Sequence, residues 1–137
     1  MTCPTRLVAK GCAQRPGYDF TETFSPVVQM ETIQAILALI PMMGLKICQL
    51  DVQGAYLNGI LKEKVYMRQP EGYEDGTDRI CELLKTLYGL KQAGHEWNIE
   101  FDLQIMQLNF SRTHSDPCIY IIKWDGNHLR IPDPLSY

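Results

Sequence analysis

Apolar residues recur along the chain with two different periods. Met30, Ile33, Ile36, Leu37 and Ile40 fall three or four positions apart, which predicts a helix over about 32–40. Pro41 lacks a backbone donor and closes that pattern. A longer helix is predicted from about Gln92 to Leu108, where Ala93, Trp97, Phe101 and Ile105 recur every four residues. Between the two helices the period shortens. Lys64 to Gln69 alternates polar and apolar residues like a half-buried strand, and Ile80 to Leu84 reads as a second short one. Lys46 to Val52 is apolar-rich, the pattern of a central strand. It leads into a turn and a short helical piece that Asn58-Gly59 stops. Cys118 to Trp124 predicts another strand, Asp125-Gly126-Asn127 a hairpin turn, and His128 to Ile131 the start of the returning strand. Pro132 and Pro134 cut it short, since neither donates to a ladder. Irregular alternation around hairpins indicates an α+β fold, with mixed helices and mainly antiparallel sheet.

At 137 residues the chain suits one domain. Its 45% hydrophobic and 21% charged residues exclude a disordered tail. A net charge of −3 excludes a nucleic-acid binder that works by bulk positive charge. Any phosphate contact must come from a local arrangement of cations. Five widely spaced cysteines without a C-x-x-C do not make a secreted disulfide scaffold. His95, His114 and His128 form no paired zinc-ligand pattern. The N-terminus lacks the apolar core of a signal peptide. The most apolar stretch, Ile33 to Leu45, contains Gln34, Pro41 and Gly44 and is too short to span a bilayer. The expectation is an intracellular protein, in cytoplasm or nucleus, neither secreted nor in a membrane.

Asp51 is the most informative single position. A carboxylate near the end of an apolar strand costs several kcal/mol if buried without a partner. Two readings stay open: its side chain caps the following turn, or it binds a metal. Two-metal phosphoryl transfer needs several carboxylates on adjacent strand ends, with cations about 4 Å apart. One aspartate cannot build that site.

Leu50-Asp51-Val52-Gln53-Gly54-Ala55-Tyr56-Leu57-Asn58-Gly59 resembles the first catalytic motif of the reverse transcriptases of copia-type retrotransposons. Further blocks stand in the order that family has them. They are Arg6 to Gly11, Glu22-Thr23-Phe24-Ser25-Pro26-Val27-Val28, Val65 to Tyr73, Leu87-Tyr88-Gly89-Leu90-Lys91-Gln92-Ala93, and Ser115 to Tyr120. The resemblance covers about residues 5–126. It implies RNA-directed DNA polymerisation by one partial domain of right-hand polymerase fold. Residues to about 45 would be fingers, about 46–131 fingers and palm, and 132–137 an off-pattern tail.

The resemblance also implies roles. Asp51 matches the first catalytic aspartate and the Val52 backbone carbonyl a further contact in a two-metal Mg2+ site. Tyr56 matches the aromatic residue under the incoming sugar, where it leaves no room for a 2′-hydroxyl; alone, it also reads as a core aromatic. Tyr88 and Gly89 match a loop-to-helix junction beside the nascent base pair, where glycine permits close backbone approach; alone, they read as a plain helix N-terminal turn. Arg6 and Lys10 resemble basic fingers residues that meet triphosphate or template, as suits a leaving group gaining charge; alone, they read as solvated surface charges. The implied partners are an RNA or DNA template-primer, deoxynucleoside triphosphates and the rest of a Pol polyprotein.

Two departures matter. Gly94-His95 stands where the family has Pro-Arg, which removes an arginine and loosens the helix start, since glycine costs about 1 kcal/mol relative to alanine. After Asp125-Gly126 the family carries Tyr-Val-Asp-Asp, with the other two catalytic aspartates. Here Pro132-Asp133-Pro134-Leu135-Ser136-Tyr137 follows, and the prolines hold Asp133 out of a paired strand. Losing metal stabilisation costs several kcal/mol of transition-state binding, hence orders of magnitude in rate. The expectation is a reverse transcriptase domain truncated before that motif, incomplete at the catalytic hairpin and inactive alone. The alternative is a non-catalytic transposon-derived module that binds nucleic acid or protein, an open sheet edge being a ready pairing surface.

Overall fold

The computed structural model describes residues 6–122 with their side chains and the backbone of 123, 129 and 130. The predicted turn at 125–127, Asp133 and the tail at 132–137 lie outside the described residues. The chain forms two units from interleaved segments: Met1–Ser25 with Gly54–Glu100, and Pro26–Gln53 with Phe101–Tyr137.

The first unit is built on an antiparallel ribbon. β1 (Ile60–Arg68) pairs with β2 (Ile80–Lys85), with Val65 opposite Leu83 and Arg68 opposite Ile80. β2 stands where it is predicted, and β1 covers the predicted alternation but begins at Ile60, ahead of the predicted start at Lys64. The acidic loop joining them is tied by its own side chains. Asp75 accepts hydrogen bonds from the Thr77 hydroxyl (2.5 Å) and Gln69 Nε2 (2.9 Å). In that order, these bonds hold its carboxyl below the usual value. On the inner face Val65 packs with Leu90 and Ala93, and Ala9, Tyr56, Leu61, Leu83 and Leu87 close around them. A 3-10 turn, Ala55–Asn58, precedes β1 and is stopped at Gly59 as predicted.

The helix that we label α2 runs over Ala93–Gln107, close to its predicted bounds. Its residues to Glu100 belong to the first unit and those from Phe101 to the second. Gly94 does not delay its start, because the Ala93 N–H reaches the Leu90 carbonyl (3.3 Å) and the Glu96 N–H that of Gln92 (3.0 Å). Asn109, at φ 64°, ends it in the left-handed region that asparagine tolerates.

The second unit holds α1 (Met30–Met42) and a small antiparallel sheet, β3 (Ser111–Arg112), β4 (Tyr120–Lys123) and β5 (Leu129–Arg130), in that order. α1 continues past Pro41, because the Met43 N–H still bonds the Leu39 carbonyl (3.0 Å) and the Leu45 N–H that of Ile40 (3.0 Å). The central strand predicted over Lys46–Val52 is not formed. That segment is irregular and exposed, with Leu50 at 82%. An apolar run becomes a strand only where a neighbour takes up its backbone groups, and the described residues offer it no ladder. Asp51 is correspondingly exposed and not set in an apolar strand end.

Two buried polar groups order this unit. Asp116 accepts the N–H groups of Gln29 (3.0 Å) and Cys118 (2.9 Å), tying the start of α1 to the approach to β4. Burial alone would raise its pKa; those N–H groups and the Thr32 hydroxyl outweigh it and hold the carboxyl below its ordinary value. Tyr120 is fully buried, donates to Asp102 (2.9 Å), accepts from Arg112 (2.8 Å) and meets the Phe101 ring edge-on. Arg112 and Asp102 close the triangle at 2.9 Å.

Candidate functional site

In the first unit, the segment from Arg6 to Lys10 lies beside the Tyr88–Gly89 turn that leads into α2. Val8 and Tyr88 form a parallel bridge, and the Ala9 N–H donates to the Tyr88 carbonyl at 2.8 Å. Gly89 has φ 91°, a conformation that side chains disfavour. A Cβ there would collide with the Ala9 carbonyl oxygen, and one at Gly11 would collide with that of Gly89. Two glycines thus let the strands meet backbone to backbone.

That contact gathers the polar and aromatic side chains. The Arg6 guanidinium lies over the Tyr88 ring, 4.4 Å from its centroid. Tyr88 in turn meets Tyr56 edge-on, with centroids 5.2 Å apart. Tyr56 and Tyr88 are half-buried, whereas Arg6 and Lys10 are exposed. Four predicted residues, Arg6, Tyr56, Tyr88 and Gly89, therefore come together. Lys10 follows on the same segment, where its carbonyl accepts the Ala13 N–H at 3.0 Å.

Asp51 and Val52 belong to the second unit. Both are exposed, in an irregular stretch. Among the described residues no three histidine, cysteine, aspartate or glutamate side chains converge to hold a metal. Asp51 and the Val52 carbonyl alone do not make up a two-metal donor set.

Several residues that hold the cluster carried no signal of their own. Gln92 is fully buried. It accepts from Gln14 Nε2 (2.9 Å) and donates to the Asp19 carbonyl (3.0 Å), while Gln14 Oε1 accepts the Lys91 N–H (2.8 Å). These bonds pin the loop after Lys10 against the start of α2. Thr86, also fully buried, donates its hydroxyl to the Tyr56 carbonyl, and its N–H meets the Gly59 carbonyl at 2.9 Å. A Cβ at Gly59 would lie 2.7 Å from the Thr86 hydroxyl and 3.0 Å from the Trp97 nitrogen. The backbone under Tyr56 is thereby fixed to β2 and α2. His95 Nδ1 lies 2.6 Å from the Phe24 carbonyl, an acceptor that places the proton on Nδ1. Only the sequence block over 87–93, which contains Gln92 and follows Thr86, marked this region; their partners lie up to 78 positions away.

The chain as a whole is similar to known proteins. Residues 2–131 match the model of the family "Reverse transcriptase (RNA-dependent DNA polymerase)", and the chain belongs to that family. Within it, the similarity is to copia-type elements. The chain is 45% identical over 128 residues to the "Retrovirus-related Pol polyprotein from transposon TNT 1-94" of Nicotiana tabacum, covering 92% of this chain and 10% of that protein. It is 42% identical over 120 residues to the corresponding polyprotein from transposon RE2 of Arabidopsis thaliana, covering 86% and 8%. A "Transposon Ty1-ER2 Gag-Pol polyprotein" of Saccharomyces cerevisiae is 36% identical over 102 residues, covering 70% and 5%. The chain thus spans a tenth or less of the length of these relatives. No solved structure matches it. Among the described residues, no helix is long and apolar enough to cross a membrane.

Proposed function

We propose that the first unit is the nucleotide-facing part of an RNA-directed DNA polymerase domain of fingers–palm type. In this reading Arg6, Lys10, Tyr56, Tyr88 and Gly89 contact the incoming deoxynucleoside triphosphate. The observation that carries it is the gathering of Arg6, Tyr56, Tyr88 and Gly89 at one place from three separate segments. Arg6 supplies a fixed cation for phosphate oxygens. Tyr88 offers an aromatic face, over which the Arg6 guanidinium lies. Tyr56, its backbone held by Thr86, offers a ring edge against which a 2′-hydroxyl would clash. Gly89 leaves its backbone open to close approach.

Asp51 and the Val52 carbonyl supply part of a metal site, and the remaining carboxylates come from a strand that these 137 residues do not carry. Bound Mg2+ would stabilise charge on the transferring phosphate. The partners in this reading are template-primer, deoxynucleoside triphosphates and the remainder of a Pol polyprotein, in the cytoplasm or nucleus.

The test is primer extension. The 137-residue chain alone is expected to extend no primer. A chain continued through a Tyr-Val-Asp-Asp strand is expected to extend one, and Asp51→Asn in it to abolish extension. In the same extended chain, Tyr56→Ala is expected to relax discrimination against ribonucleotides by about 10- to 200-fold, the range for one steric contact. Extension that survives Asp51→Asn overturns the reading.

A further inference from the structure

We propose that Thr86 is a positioning residue for sugar discrimination, its hydroxyl holding Tyr56 where the ring excludes a ribose. This rests on the polymerase reading, in which Tyr56 meets the incoming sugar. Tyr56 sits on a 3-10 turn of only four residues, Ala55–Asn58, entered from Gly54 at φ 64°. Such turns have poor hydrogen-bond geometry and depend on their surroundings for a fixed shape. Within the turn the Tyr56 carbonyl receives the Gly59 N–H at 3.3 Å, long for such a bond. It also receives the Thr86 hydroxyl, from a residue 30 positions away that is fully buried.

The ribbon sets Thr86 in place for this task. Thr86 directly follows Lys85, which ends β2 opposite Ile60. One step further along, the Thr86 N–H meets the Gly59 carbonyl at 2.9 Å. The ladder thus fixes the Thr86 backbone, and its side chain reaches the turn. Two residues on, the same segment carries Tyr88, whose carbonyl the Ala9 N–H holds at 2.8 Å. Both rings are therefore anchored to one short stretch, 86–88, and meet edge-on with centroids 5.2 Å apart. Leu87, between Thr86 and Tyr88, packs with Tyr56 against Val65, Leu90 and Ala93.

Thr86→Val keeps nearly the same shape but presents a methyl group to the Tyr56 carbonyl. A buried acceptor deprived of a donor is costly, and a shift of the turn that relieves the cost carries the Tyr56 ring with it. Ribose differs from deoxyribose at the 2′ position by a single oxygen atom. A small displacement of the ring is enough to admit it. Arg6 stands on a different segment, so its phosphate contact does not depend on Thr86.

The test measures single-nucleotide primer extension by the chain continued through a Tyr-Val-Asp-Asp strand, with dATP and with ATP. Thr86→Val is expected to lower the ratio of kcat/KM for dATP over ATP about tenfold, through a rise with ATP. Thr86→Ser, which keeps the hydroxyl, is expected to keep the ratio. In a Tyr56→Ala background, Thr86→Val is expected to move the ratio no further, because its effect passes through that ring. A purely structural role would lower both rates alike. An unchanged ratio in Thr86→Val, a Thr86→Ser ratio as low as that of Thr86→Val, or a further drop in the Tyr56→Ala background overturns the proposal. Circular dichroism checks folding. If Thr86→Val does not fold, Thr86→Ala and Thr86→Ser, which differ only in the hydroxyl, replace it in the same measurement. The 137-residue chain gives an independent readout by NMR. Nuclear Overhauser contacts between the Tyr56 and Tyr88 rings are expected to weaken in Thr86→Val and persist in Thr86→Ser, and identical contacts in both overturn the clamp. A parent chain that extends no primer counts against the polymerase reading, while the ring contacts still decide whether Thr86 sets Tyr56.

Discussion

Two glycines before and within the first turn of α2 have opposite roles. Gly89 sits at φ 91° with its α-hydrogen against the Ala9 carbonyl. Gly89→Ala is expected to destabilise the chain by about 1–3 kcal/mol, from backbone strain and the displaced strand, and to separate Arg6 from Tyr88. Gly94 has no positive φ, and a Cβ there would meet only the Ser25 Cβ at an ordinary 3.9 Å. Gly94→Ala is expected to stabilise by about 0.5–1 kcal/mol, because glycine loses the most freedom in a helix. Thermal denaturation of the two variants checks both signs. At this scale the motif residues Arg6, Tyr56, Tyr88 and Gly89 were legible as members of recognisable blocks. Gln92 was legible only as a member of such a block, and Gln14 and Thr86 were not legible at all. Their importance lies in burial and in partners 27 to 78 positions distant, which no local pattern records. Over residues 46–52 the apolar run implied a strand, and a strand needs a neighbour to take up its backbone groups.

Among the elements, β4 carries the clearest pH dependence. Burial first, then the Asp102 carboxylate, push the Tyr120 hydroxyl up to about 12 from its ordinary 10, against the pull of Arg112. The folded state thus favours neutral Tyr120. That contribution is whole below pH 10 and is lost as pH rises from 10 to 12. Denaturant titrations across this range are expected to show Tyr120→Phe losing less stability than the parent chain. At neutral pH the same variant is expected to be about 1–2 kcal/mol less stable, because the hydrogen bonds to Asp102 and Arg112 go. Elements set by local period were readable: α2 from its four-residue repeat, β1 and β2 from alternation about an acidic loop. β3 was missed, since two residues hold no period. α1 ran beyond Pro41 because the bonds after the proline, which no propensity reports, close its last turn.

The whole molecule leaves much apolar surface open. No residue of α1 is buried, and Leu37, Leu39 and Met42 along it are exposed together with Met43. Leu39, Met42 and Met43, three and four positions apart, are neighbours on one face, and contiguous exposed apolar residues favour association. Sedimentation velocity is expected to show concentration-dependent self-association of the chain, reduced by Leu39→Gln with Met42→Gln. Equal association in the double variant would place the contact elsewhere.

The bridge between Val8 and Tyr88 also has a consequence for how the chain is made. At about 5–20 residues per second, a ribosome adds Tyr88 roughly 4–16 s after Val8. Through that interval Arg6 has no ring to cover and Ala9 no carbonyl to bond. Slower elongation between the two codons lengthens the time in which the segment from Arg6 to Ala9 is open to proteases and chaperones, although the finished fold is the same.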